Sequence, residues 1–392
     1  MPVMNADTDF TTFLARRVRD AAASGTALRI RGSGSKDFYG QALTGEVLDM
    51  SPFAGVISYE PSELVVTVRG GTPLAELETL LASHGQCLAF EPPHFGPDAT
   101  VGGMVACGLN GPARASAGAV RDYLLGVVLL NGKGEILTFG GQVMKNVAGY
   151  DVSRLMAGAL GTLGVLLEVS LKVLPVAPAE ATLMCSLPQQ QSLDLLNYWG
   201  SQPLPLNASC WVHDASSRPA SDFLFVRLRG AVAAVEAACP RMMADVHARQ
   251  GQATRMDQAQ AAADWNACRE QTLPFFAQPP SADSCLWRLS VPQTTAAMTL
   301  PGLADLSPDA QLIEWHGGLR WLWAPASAAP QLRAAARQAG GHATLFRRGA
   351  ATPPELPVFS PLPPVQQRIQ RELKKQFDPA CIFNPGRMSA DW

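Results

Sequence analysis

Apolar positions first recur at helical spacing between Thr8 and Ala23, where Phe10, Phe13, Leu14, Val18 and Ala21 share one face and Gly25 closes the run. The spacing predicts an amphipathic helix buried along that face. A short apolar stretch, Ala27 to Ile30, reads as a strand that runs directly into the glycine-rich RGSGSK of Arg31 to Lys36. Glu63 to Val68 reads as a buried strand. Thr72 and Pro73 read as the N-cap and first position of a helix with Leu74, Leu77 and Leu81 inward, closed by Gly85. Gly126 to Asn131 and Glu135 to Phe139 flank the turn NGKG and predict a hairpin. Glycine then punctuates Val143 to Pro175, through KNVAGYD (Lys145 to Asp151) and GALGTLGVLLEVSLKVLP from Gly158.

The pattern changes near Pro178. From there to Gly349 the chain is rich in Ala, Pro and Gln, with strand-like runs at Phe223 to Leu228, Cys285 to Val291 and Leu319 to Trp323 between alanine-rich helical stretches. This predicts a separate α+β unit with an antiparallel sheet. After a proline-rich connector, Pro353 to Pro364, Val365, Ile369, Leu373 and Phe377 recur every fourth residue, a narrow stripe that predicts a helix docked on the rest of the chain. Asn384, Pro385 and Gly386 give a turn that folds the tail back onto the first unit. The expected division is therefore 1–177, 178–349 and 350–392.

Composition narrows the function classes. Hydrophobic residues make up 47% of the 392 positions and charged ones 16%, below the usual share of roughly a quarter. Large buried interfaces, with a cofactor or other subunits, suit this balance. A net charge of −2 leaves no electrostatic footprint for nucleic acid. No secretory signal or membrane-length apolar run is visible, so the expectation is a soluble, cytoplasmic protein, associated with a membrane only through partners. The eight cysteines stay at least seventeen positions apart, which excludes a local CxxC metal or cluster motif; no metal site is expected.

Chemistry concentrates in two glycine clusters. In RGSGSK, Gly32 and Gly34 free the backbone for converging N–H groups, and the hydroxyls of Ser33 and Ser35 and the ammonium of Lys36 add donors for a phosphate. The loop fits neither common phosphate motif: Asp37 stands where a Rossmann fingerprint needs glycine and where a Walker loop needs Ser or Thr. A Gly/Ser surface turn accounts for the loop taken alone equally well. The second cluster, TVGG at Thr100 to Gly103, favours the dinucleotide reading.

Four pieces resemble, in order, the FAD-binding family of vanillyl-alcohol oxidase and the PCMH-type flavin domains: RGSGSK, the stretch DATVGGMVACGLNGPARASAGAVRDYLLGVVLLNGKGEIL from Asp98, GALGTLGVLLEV from Gly158, and the terminal FDPACIFNPGR. They cover most of residues 20–178 and 362–388. Within that family FEPPHFGPDATVGG, RDYLLG and KNVAGYD resemble the smaller FAD-binding subunits of bacterial glycolate oxidases (glycolate dehydrogenases). The resemblance implies a two-subdomain FAD domain, an α+β cap, and a C-terminal helix that returns to the FAD domain. It implies that Gly32, Ser33, Gly34, Ser35 and Lys36 hold the pyrophosphate; Thr100, Gly102, Gly103, Gly108 and Gly111 let backbone approach the ribityl chain and isoalloxazine; Asp122 lies near that cleft; and Gly161, Gly164 and Val165 line the adenine end. For the Gly158 to Gly164 series a tight strand–helix crossing remains the alternative. RGSGSKDFYG contains no His or Cys for covalent attachment, so FAD is expected to be dissociable, with His94 an ordinary loop histidine.

No catalytic constellation stands out. The six histidines form no HxH or HxxxH pair. Arg288 and Arg320, on the best cap strands, suit a carboxylate anchor, but the simpler reading is solvent-facing residues of half-buried strands. Lys145, Tyr150 and Asp151 read as a packed motif beside the cleft, and no catalytic residue is assigned. The resemblance implies an FAD-binding subunit exchanging electrons with a larger catalytic flavin subunit and an iron–sulfur subunit in a glycolate (2-hydroxy acid) dehydrogenase. A self-sufficient FAD-dependent oxidoreductase and a structural subunit with a little-used flavin fold are the alternatives.

Overall fold

In the computed structural model, residues 6–141, 151–215, 220–298 and 310–391 are described. Lys145 and Tyr150 lie outside them. Two sheets carry the architecture. The first is antiparallel, in the spatial order Val56–Glu60, Val65–Arg69, Val165–Lys172, Leu124–Leu130, Ile136–Gly140. Its inner strands are nearly continuous in Val and Leu, and they bury these residues against the helices Leu74–Ser83 and Val101–Cys107. A smaller layer sits beside it: Leu28–Arg31 pairs in parallel with Glu46–Asp49, and both pack on the first helix, Ala6–Ser24.

The second sheet has eight antiparallel strands, in the order Gln252–Arg255, Ala179–Ser186, Ser221–Gly230, Leu206–Asp214, Gln311–Glu314, Leu319–Pro325, Ser284–Ser290, His342–Arg347. Helices Gln189–Gly200, Val232–His247 and Ala329–Gln338 cover one face. The other face carries Trp315, Trp321, Trp323 and Phe346, which join one apolar cluster with Tyr39, Leu109 and Leu160 from the first part of the chain. That cluster fixes the sheet over the glycine-rich segments.

The structure corrects several local expectations. Phe13 is 54% exposed, because Leu14, Val18 and Ala21 take the core face and Phe13, one residue off it, packs at the margin on Phe10. Thr72 does not cap the following helix: its hydroxyl donates to the Arg69 carbonyl at 2.7 Å and accepts from Gly55 N–H at 3.0 Å. Arg320 is not solvent-facing; it is buried and donates to the carbonyls of Gly317 and Thr295, both at 2.7 Å.

The C-terminal helix, Pro364–Phe377, docks through only half of its stripe. A row spaced by four drifts about 40° per step around a helix of 3.6 residues per turn. Leu373 and Phe377 therefore face inward while Val365 and Ile369, 60% and 53% exposed, rotate out. The inner end is secured by a buried ammonium. Lys374 Nζ donates to Asp378 Oδ2 at 2.7 Å, to Thr162 O at 2.7 Å and to Phe383 O at 2.9 Å.

Candidate functional site

The strand Leu28–Arg31 ends at RGSGSK, and the loop turns back over the start of the helix Val101–Cys107. The fit is close: a Cβ on Gly32 would lie 2.3 Å from Thr100 Oγ1, and one on Gly102 would lie 2.8 Å from the carbonyl oxygen of Gly70. Thr100 is the N-cap of that helix, and its hydroxyl accepts from Gly103 N–H. Gly34 adopts φ +82°, a conformation that disfavours any side chain. Among the described residues the amides of Ser33, Gly34 and Lys36 donate to no protein group, so this backbone presents N–H groups suited to an anion.

These elements wall one cleft. Gly32, Ser33, Gly34, Ser35, Lys36, Thr100, Gly102, Gly103, Gly161 and Gly164 all line it. Gly108, Gly111, Asp122 and Val165 do not. Gly108 takes the left-handed position that ends the helix, and a Cβ on Gly111 would lie 2.2 Å from the Glu91 carbonyl oxygen. Asp122 accepts from Ala119 N–H at 2.9 Å, and Val165 starts a core strand.

Lys36 differs from the expectation in its direction. Its ammonium donates to the His94 carbonyl at 2.9 Å, and burial pulls its pKa down against the attraction of Cys107 and Glu270. The imidazole of His94 meets Glu78 at 3.0 Å.

The tail supplies the residues that sequence reasoning missed. Asn384 accepts from Ile30 N–H at 2.9 Å and donates to Leu160 O at 2.7 Å, so it ties the first strand to the Gly161 turn. Arg387 donates only to main-chain carbonyls, of Lys36, Asp37, Tyr39 and Gln41. This cation lines the cleft without a carboxylate partner among the described residues, and burial lowers its pKa. Cys107 is also on the wall; burial pushes its thiol up to about 11, so it stays protonated. The NPGR turn was the available signal for the tail, but nothing in it indicates which loop it reaches.

On the cap side the titratable candidates are engaged. His316 meets Ser116 Oγ at 3.0 Å and Ser209 Oγ at 3.1 Å, and burial lowers its pKa to about 4. Glu314 accepts from Trp321 Nε1 at 2.6 Å and from Cys268 Sγ at 3.2 Å; burial raises its pKa. Arg288 and Arg114 both lie over the Trp315 ring, at 5.1 and 4.6 Å from its centroid. Neither has a carboxylate partner among the described residues.

A family model described as an FAD binding domain matches residues 11–140. The fold is that of alkyldihydroxyacetonephosphate synthase, whose solved structure aligns with a TM-score of 0.65 at 15% identity over 95% of this chain and 73% of that one. The D-lactate dehydrogenase (cytochrome), mitochondrial, of Arabidopsis thaliana is 29% identical over 144 residues, 37% of this chain and 25% of that enzyme. Glycolate oxidase subunit GlcD of Bacillus subtilis (strain 168) is 31% identical over 157 residues, 39% of this chain and 33% of that protein. Glycolate oxidase subunit GlcE of Escherichia coli (strain K12) is 42% identical over 388 residues, which span 99% of this chain and 100% of that protein. With a glycine-built cleft, a PCMH-type fold and a relative that matches end to end, the chain belongs to the family of the glycolate oxidase subunit GlcE, FAD-binding members of the flavin-dependent hydroxy-acid oxidoreductases.

Proposed function

We propose that the chain is the FAD-binding subunit of a multi-subunit glycolate (2-hydroxy acid) dehydrogenase, holding FAD non-covalently between the two halves of residues 1–177, with residues 178–349 as a cap and 350–392 closing on the first unit. The observation that carries this is the convergence of the two glycine clusters on one cleft, with main-chain amides that have no acceptor among the described residues. Those amides suit the diphosphate, and the cations of Lys36 and Arg387 offset its charge at short range. FAD supplies one- and two-electron chemistry when bound. The protonated Cys107 thiol on the wall is a poor nucleophile, which supports dissociable cofactor.

The partners we assign are a larger flavin subunit that oxidises the hydroxy acid and an iron–sulfur subunit that takes electrons onward. Among the described residues no helix is long and apolar enough to cross a membrane. One observation favours a second reading, a self-sufficient oxidoreductase: Arg288 lines a hollow with Asn110 and Glu314 and forms no ion pair among the described residues, as a substrate anchor would.

Expression of the chain with and without both partners, followed by the flavin absorption spectrum before and after glycolate, decides between them. Bleaching only in the complex is the expected result. Bleaching in the chain alone supports the second reading.

A further inference from the structure

A cap carboxylate bonds the backbone that also holds the Lys36 ammonium. Helix Gln258–Glu270 ends with Glu270, whose Oε2 accepts from the backbone N–H groups of His94 and Phe95, each at 3.0 Å. Arg269 Nε lies 2.9 Å from the other oxygen. Across the same short run of backbone, the His94 carbonyl takes the Lys36 ammonium at 2.9 Å. Gly96 packs so closely that its Cβ would lie 3.3 Å from Ser35 Cβ. A cap residue and two residues of the cofactor loop thus share three consecutive positions, His94 to Gly96.

That run holds an unfavourable conformation. Phe95 sits at φ +53°, in the left-handed region that bulky side chains disfavour. Such a residue keeps its place only where neighbours fix it. Glu270 does so from the main-chain side, and Phe38 and Phe346 pack on the ring at 5.5 and 6.4 Å. Without the carboxylate, two adjacent half-buried N–H groups lose their acceptor and the peptide can rotate out of the left-handed well. The carbonyl that orients Lys36 moves with it.

We propose that Glu270 is a positioning residue for cofactor binding: through the His94–Phe95 peptide it fixes Lys36, and so couples the placement of the cap to the grip of the pyrophosphate loop. This rests on the FAD reading of the cleft. A partner subunit that shifts the cap helix would change FAD affinity by the same route.

The test is FAD titration of the full chain, freed of flavin, by fluorescence quenching, for wild type, E270A, K36M, the E270A/K36M pair and E236A. Glu236 is the control, since it forms an exposed ion pair with Arg255. The expected result is about tenfold weaker binding for E270A, as for loss of a charge-assisted hydrogen bond. The double variant should bind within about twofold of K36M alone, because both changes break one path. E236A should match wild type. A lowered thermal midpoint with unchanged FAD affinity in E270A overturns the proposal, and so do effects of E270A and K36M that multiply. Should E270A fail to fold, E270Q decides: it keeps an acceptor oxygen without the charge, and about threefold weaker binding supports the path while wild-type affinity overturns it. Failure of the wild-type chain itself to bind FAD removes the FAD reading instead.

Discussion

The cleft side and the cap side of this molecule handle polar groups in opposite ways. Around the cleft, the amides of Ser33, Gly34 and Lys36 have no protein acceptor among the described residues, and Arg387 is satisfied there by carbonyls alone. Where the cap meets the first unit, Glu91 and His316 are instead closed by side chains: Glu91, at 15% side-chain exposure, meets Arg227 at 2.7 Å and Arg229 at 3.1 Å, while both nitrogens of His316 are bonded to serines. The difference separates a surface made for a ligand from one made for folding. Unmet donors beside a cleft cost stability until an anion meets them, whereas a closed ion pair resists rearrangement because breaking it strands a buried charge.

The largest expected effect breaks the ligand side. Gly34→Val places a β-branched residue at φ +82° and a Cβ 2.1 Å from the Arg31 side chain, which is itself paired with Asp37. FAD affinity should fall by about two orders of magnitude, read by equilibrium dialysis, with circular dichroism near wild type. Flavin content equal to wild type would reduce the loop to a surface turn.

Glu91→Gln breaks the folding side. It leaves Arg227, buried at the junction, without its charge partner and should cost about 3 kcal/mol in chemical unfolding. Burial opposes ionisation of Glu91, but Arg227 and Arg229 outweigh it and hold the pKa below the ordinary carboxylate range. Its stabilisation is therefore present above that range and lost only as pH falls through the depressed value. A loss under about 0.5 kcal/mol would show that the junction does not depend on the pair.

His316 gives a comparable but pH-confined effect. Its pKa falls from 6.5 unfolded to about 4 folded because burial disfavours the charged ring. Between those values the unfolded chain binds the extra proton, so stability drops as pH goes from 6.5 towards 4, by up to about 3 kcal/mol. His316→Asn, which tolerates the left-handed φ of +56°, should flatten that slope; an unchanged slope contradicts the assignment.

The smallest effect concerns the outer turns of the C-terminal helix. Val365→Lys and Ile369→Lys should each change stability by less than about 0.5 kcal/mol, since both positions are exposed. A larger loss in thermal unfolding would place them in contact with the body of the protein.

The cleft was legible in the sequence because its chemistry is carried by backbone. Glycine declares where main chain must bend or come close, and two such clusters already point to an anion. Glycine does not declare which need it serves, and so Gly108 and Gly111, which carry the same signal, serve a helix end and a packing contact outside the cleft wall. Strand and helix periodicity located the cap sheet, yet it read Arg320 as exposed because its acceptors, the carbonyls of Gly317 and Thr295, leave no hydropathy trace. Arg387 and Asn384 were missed for a topological reason. Their partners at residues 30 to 41 are some 350 positions away, and nothing local in NPGR names them. The direction of Lys36 was hidden likewise, since it is set by a loop near residue 94.

The central claim is tested most directly by titrating the purified, flavin-free chain with FAD and then precipitating the saturated protein in acid. The account predicts saturable binding of one FAD per chain, with all of the flavin released into the supernatant. Absence of saturable binding, or flavin that stays with the precipitated protein, would contradict it.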